Sequence, residues 1–139
     1  MVTTKGKRRT RAIVAMHYGG IACDMEELLR ISRAHGIPLL EDNAHGLYGQ
    51  YQGRPLGSLG VLSTVSFHET KNFVCGEGGA LVVNDARYLP RAEIIRDKGT
   101  DRSRFQHGLV DKYTWQDLGS SYVMADVLAA MLLAQLEDH

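Results

Sequence analysis

Two short runs in this chain carry the residue types that covalent chemistry needs: Glu41-Asp42-Asn43-Ala44-His45 and Ser66-Phe67-His68-Glu69-Thr70-Lys71-Asn72. Together they offer carboxylates, histidines, hydroxyls and one lysine. A lysine in a crevice can lose its proton by desolvation and condense with a carbonyl to a Schiff base. A carboxylate beside it can hold a cationic heterocycle, while Ser66, Thr70 and loop amides can hold a phosphate. Spacing alone leaves a second reading open, in which Asp42 and Lys71 are ordinary residues of surface loops.

An α/β sheet is the element that would bring such runs together, because open sheets of this kind bind ligands just beyond the carboxyl ends of their strands. Ala12 to Met16 is a continuous apolar run closed by Gly19-Gly20, the pattern of a strand buried on both faces. Asp24 is placed to cap a helix whose first turn holds Glu26 and Glu27, with Met25, Leu28, Leu29 and Ser32 on one face and Gly36 with Pro38 as the stop. Ile37 to Leu40 then starts a second strand that terminates in Glu41-Asp42. Strand, helix and strand in this span form a βαβ unit, so the two strands are expected to be parallel.

The stretch from Asn43 to Gly60 is rich in glycine and reads as irregular. Val61 to Phe67 is the third strand, Gly76 to Gly79 a tight glycine turn, and Ala80 to Asn84 the fourth strand. The connection between these last two is short and lacks a helical pattern, so the fourth strand is expected to run antiparallel to the third. Asp85 can cap a helix with Tyr88, Leu89, Ala92 and Ile95 on its face. A long polar loop from Lys98 to Ser121 follows, and then a helix from Ala125 to Glu137 that is apolar nearly all round and therefore expected to be buried on every side.

Composition bounds the function. The chain has 139 residues, and its 16 Lys+Arg balance 16 Asp+Glu, which argues against a dedicated nucleic-acid binder. At 44% hydrophobic and 23% charged it reads as globular, not as a disordered tail. Cys23 and Cys75 are too few for a disulfide scaffold and suit a reducing, cytoplasmic compartment. No apolar run approaches the ~20 residues of a membrane span. His17, His35, His68, His107 and His139 show no close metal-ligand pairing, so no metal site is expected. Residues 1–11, with Lys5, Lys7, Arg8, Arg9 and Arg11, read as a basic, solvated end. Arg96, Lys98, Arg102 and Arg104 could attract a diphosphate or could simply be solvated.

The two runs, together with Gly76-Glu77-Gly78-Gly79-Ala80 ahead of a strand, resemble the DegT/DnrJ/EryC1/StrS family of sugar-nucleotide aminotransferases. Further segments of the same likeness are His17-Tyr18 with Gly20, Ile94 to Thr100, and Asp111 to Trp115 through Gly119 to Tyr122. The resemblance implies residues 12–139 as a central part of the large domain of the aspartate aminotransferase fold, a mostly parallel sheet with one antiparallel strand. It also implies that an N-terminal third and a C-terminal small domain are absent, and that the parent works as a homodimer.

The same resemblance implies pyridoxal 5'-phosphate as cofactor and assigns roles by position. Lys71 forms the Schiff base with the coenzyme and shuttles the proton. Asp42 pairs with the pyridinium nitrogen, Ala44 packs on the ring, His45 reaches toward the phenolic oxygen, and Ser66 contacts the phosphate. Relatives that dehydrate their sugar hold histidine at the Lys71 position, so lysine here implies amino transfer. Many members have alanine at the position of Asn43 and, at that of Val123, an asparagine that reaches the partner subunit's phosphate; Ser120 or Ser121 could stand in for the latter. The branch most similar to these segments aminates carbon 4 of a dTDP-4-keto-6-deoxyglucose, with glutamate as donor, for cell-surface polysaccharide precursors. The alternative is a non-catalytic remnant that needs further segments or a partner chain to fold and bind cofactor.

Overall fold

The computed structural model describes residues 9–138. Lys5, Lys7 and Arg8 of the expected basic end, and His139, lie outside them. The chain forms two compact units. One runs to Ser66 and takes in Gly79–Asn84; the other comprises Phe67–Gly78 and the chain from Asp85 onward.

The first unit is a four-stranded sheet of β1 (Ile13–Met16), β2 (Leu39–Asp42), β5 (Leu62–Ser66) and β6 (Gly79–Val83), in that spatial order. The first three are parallel and β6 is antiparallel to β5, as the connection lengths require. The crossover from β1 to β2 is α1 (Met25–His35). Its cap is the one the sequence predicts: Asp24 Oδ1 accepts from the Glu27 amide at 3.1 Å, and Gly36 ends the helix in the left-handed region at φ 61°.

The second strand begins later than the sequence suggests. Ile37 N donates to Ser32 O at 3.0 Å, closing the helix end, and Pro38 has no amide to give a ladder. Pairing therefore starts at Leu39, opposite Ile13, and the strand ends in Glu41 and Asp42 as expected. The expected irregular stretch contains a small hairpin, β3 (Gln50–Tyr51) with β4 (Arg54–Pro55), turning through Gln52 and Gly53 at positive φ.

Ala15, Met25 and Leu39 form the core between sheet and α1, with Ile13, Leu28, Leu29, Tyr51 and Leu59 packed around them. Because alternate strand residues face opposite sides, the other face carries Val14 and Met16 of β1 with Leu40 and Asp42 opposite them in β2. Val14 is 65% exposed and Met16 50%.

The second unit holds α2 (Leu89–Arg96), α3 (Arg102–Gln106) and α4 (Asp126–Glu137). Asp85 caps a 3-10 turn, Ala86–Tyr88, that leads into α2. The expected polar loop is ordered around Gly99. Its amide donates to Ile94 O at 2.9 Å, and its carbonyl accepts from Gln116 N at 2.7 Å and Asp117 N at 3.0 Å. With φ at 73° and the Asp117 carbonyl where a Cβ would be, only glycine fits there. α4 begins at Asp126, but the expectation of burial on every side does not hold. Leu132 is its buried residue and Gln135 bonds Val74 of the loop 67–78, while Val127, Met131 and Leu133 are exposed, so the helix is covered on the side of Leu132 and Gln135.

Candidate active site

The carboxyl end of β2 is held by Glu41. The residue is 1% exposed, and its carboxylate accepts from the amides of Gly57 (2.8 Å), Leu59 (2.7 Å) and Gly60 (2.5 Å). His17 Nε2 completes the cage at 3.0 Å from Oε2. The His17 ring is itself oriented: Nδ1 accepts from the Cys23 amide at 3.3 Å, which leaves the ring proton on Nε2, facing Glu41. Burial pushes the Glu41 carboxyl up, but the Gly60 amide, the His17 ring and the amides of Gly57 and Leu59 together outweigh it. The net result is a value below the ordinary carboxylate range.

This cage does mechanical work. It ties the loop 57–60 and the chain after β1 to the buried face of β2, so the next residue, Asp42, is turned to the opposite face. Asp42 is half-buried, and its Oδ1 accepts from the Ala44 amide at 3.2 Å in a local turn. Oδ2 has no partner among the described residues and is available to a donor. Asn43 lies on the buried side, donating through Nδ2 to Leu56 O at 3.0 Å. Neither Glu41 nor His17 was assigned a role from the sequence. Their signal is the density of glycine at 57 and 60, since a Cβ on Gly60 would come within 2.6 Å of Leu39 O.

Ala44 and His45 follow in the turn beyond β2. His45 Nδ1 accepts from the Gly19 amide at 3.1 Å, so Nε2 carries the proton and can donate. Its ring lies 5.2 Å from that of Tyr18, tilted by 57°. Ser66 ends β5, the neighbour of β2, and pairing of Asp42 with Thr64 puts Ser66 two residues further along the same face. Thus Asp42, Ala44, His45 and Ser66 share one end of one sheet.

Lys71 belongs to the second unit, in the loop 67–78. The loop is closed by Phe67 N to Gly78 O (2.8 Å), Glu69 N to Gly76 O (3.1 Å) and Cys75 N to Phe67 O (2.9 Å). Phe67 and Cys75 are buried beneath it, and Gly76 takes φ 88°, as the expected glycine turn requires. Gln135 of α4 clamps the same loop through both groups of its amide, accepting from Val74 N at 3.1 Å and donating to Val74 O at 2.5 Å. Lys71 is half-buried; its amide donates to His68 O at 2.9 Å. Sequence reading missed Gln135, which has no motif around it.

Arg102 lies 3.9 Å from the buried Asp97, whereas Arg96, Lys98 and Arg104 are exposed. The backbones of Ser120 and Ser121 are used in pairing with the segment 95–98. Among the described residues, no group of three or more His, Cys, Asp or Glu could hold a metal ion, and both cysteines are free.

Comparison with known proteins decides the family. All of residues 1–139 match the DegT/DnrJ/EryC1/StrS aminotransferase family. The chain belongs to that family. L-glutamine:scyllo-inosose aminotransferase of Streptomyces griseus is 40% identical over 132 residues, 93% of this chain and 31% of the relative. Helicobacter pylori PseC, an aminotransferase of pseudoaminic acid biosynthesis, superposes with a TM-score of 0.83 at 28% identity, over 94% of this chain and 34% of its own. DesI, solved in the presence of its TDP-sugar product, gives 0.79 at 32% identity, over 96% and 32%. The chain thus spans about a third of the length of the relatives it matches. The fold is the α/β fold of these sugar aminotransferases, and the family's cofactor is pyridoxal phosphate.

Proposed function

We propose that this chain supplies the coenzyme-holding part of a pyridoxal-phosphate aminotransferase that aminates the keto carbon of a nucleotide sugar. The observation that carries the reading is Asp42 at the carboxyl end of β2, turned to the face away from α1 with one oxygen uncommitted. That oxygen fits a ring N–H, and a charge-assisted bond of this kind is among the stronger hydrogen bonds. Ser66 at the end of the adjacent strand would donate to the phosphate, Ala44 would pack against the ring, and His45 would donate through Nε2 to the phenolic oxygen. The Lys71 amine would condense with the coenzyme carbonyl with loss of water and, once a substrate amine displaces it, Lys71 Nζ would carry the proton between the substrate carbon and the coenzyme carbon. When bound, pyridoxal phosphate supplies the electron sink that makes that proton removable.

The finer assignment is dTDP-4-dehydro-6-deoxyglucose as acceptor and glutamate as donor, in a cytoplasmic homodimer making a cell-surface polysaccharide precursor. The TDP-sugar product of DesI supports the nucleotide, and two free cysteines suit a reducing compartment. The name of the Streptomyces relative supports glutamine as a competing donor and a cyclitol as a competing acceptor. A second reading, in which the chain binds coenzyme only with further segments or a partner chain, is favoured by the exposed Val14 and Met16 on the face that bears Asp42.

The test is a half-reaction. Protein loaded with pyridoxal phosphate is given glutamate or glutamine, and the keto-acid product is measured. A second step offers dTDP-4-dehydro-6-deoxyglucose or scyllo-inosose to the aminated form. Keto acid from glutamate followed by an amino sugar supports the assignment. Keto acid only from glutamine with the cyclitol replaces it, and neither, with coenzyme bound, contradicts amino transfer by this chain.

A further inference from the structure

The side chain of His68 holds the backbone that carries Lys71, and nothing in the reading above uses it. Its carbonyl accepts from the Lys71 amide at 2.9 Å, while its ring Nδ1 accepts from the Thr70 amide at 3.3 Å and lies 3.0 Å from Thr70 Oγ1. One residue therefore fixes two consecutive amides, and the second is that of the lysine. An acceptor at Nδ1 leaves the ring proton on Nε2, on the side of Glu77 Oε1 at 3.7 Å. Glu77 is 83% exposed there, so this contact contributes little.

From this geometry we infer that His68 is a positioning residue for Lys71, fixing the backbone from which the reactive amine projects through hydrogen bonds to residues 70 and 71. The inference rests on the reading of Lys71 as the coenzyme lysine. A nucleophile that must meet a carbonyl held elsewhere depends steeply on its placement. Loss of the ring bond to Thr70 would let residues 70 and 71 move while leaving the amine present and accessible. Asparagine can replace that bond, because its Oδ1 is also an acceptor two bonds from Cβ; alanine cannot.

The experiment compares wild type, His68→Asn, His68→Ala and Glu77→Gln. Each protein is exposed to pyridoxal phosphate, reduced with borohydride and mapped for adduct at Lys71 relative to Lys98 and Lys112. A parallel arm uses formaldehyde and cyanoborohydride, which modify any accessible amine. Expected is a loss of about tenfold in the Lys71 coenzyme adduct for His68→Ala, the scale set by one or two lost hydrogen bonds. His68→Asn should stay within about threefold of wild type and Glu77→Gln within about twofold. Methylation of Lys71 should not fall in any variant, and nitrogen NMR of His68 should place its proton on Nε2. Equal coenzyme adduct in wild type and His68→Ala, or an equal fall in the Asn and Ala variants, overturns the positioning role. A wild-type adduct spread over Lys71, Lys98 and Lys112 alike overturns the coenzyme reading itself, and this inference with it.

Discussion

His17 and Glu41 meet at 3.0 Å with both side chains sealed from solvent, and the two residues tie the chain after β1 to the middle of the sheet. The pair is a structural lock whose beneficiary is the neighbouring residue. Strand alternation converts a fixed Glu41 into a fixed Asp42 on the opposite face. The three amides from residues 57–60 make the lock a property of the carboxylate, since every group around Glu41 is a donor.

A pH dependence of stability follows from that surplus of donors. Folding holds the Glu41 carboxyl below its ordinary value, so its contribution is fully present above that value, about 4.3, and is lost as pH falls through the lower, folded value. Glu41→Gln, which turns a donor toward donors, should cost roughly 3 kcal/mol at neutral pH. Urea unfolding of both proteins from pH 7 to pH 3 should show the gap narrowing below the ordinary carboxyl range. A gap that is constant across that range contradicts the charge-based lock.

Gly60 and Gly53 should respond differently to alanine. At Gly60 a Cβ would press on the Leu39 carbonyl at 2.6 Å, so Gly60→Ala should displace backbone and cost more than about 2 kcal/mol. At Gly53 the space is open, and the penalty is the positive φ alone, about 1 kcal/mol. Thermal unfolding of the two variants checks the order.

Gln135 offers a readout of the Lys71 loop that needs no coenzyme. Its amide satisfies both the N–H and the C=O of Val74. Gln135→Ala should therefore raise hydrogen exchange at the Val74 amide by about tenfold, with exchange in β1 and β2 unchanged. Uniform loss of protection would mean that Gln135 matters to the whole molecule and not to this loop.

Much of this was legible in the sequence, and the limits have physical causes. The βαβ unit, the Asp24 cap, the Gly36 stop and the antiparallel β6 all depend on local periodicity or connection length, which sequence carries directly. The sequence pattern starts β2 two residues early because apolar Ile37 and Pro38 look like strand, although one closes the helix and the other cannot donate. Glu41 and Asp42 look alike in sequence. Only the pleat, together with the glycines fifteen and more residues later, makes one an anchor and leaves the other free to bind. Gln135 and Val74, 61 residues apart, could not be paired without the fold.

The central claim, that Lys71 and Asp42 hold the coenzyme, is tested most directly by mapping where pyridoxal phosphate attaches. The protein is incubated with it and reduced with borohydride, and its lysines are quantified in wild type and in Asp42→Ala. The account predicts label concentrated on Lys71, and a loss of about tenfold when Asp42 no longer offers its charge-assisted bond. Label distributed over the lysines by exposure, and unchanged in Asp42→Ala, would contradict it.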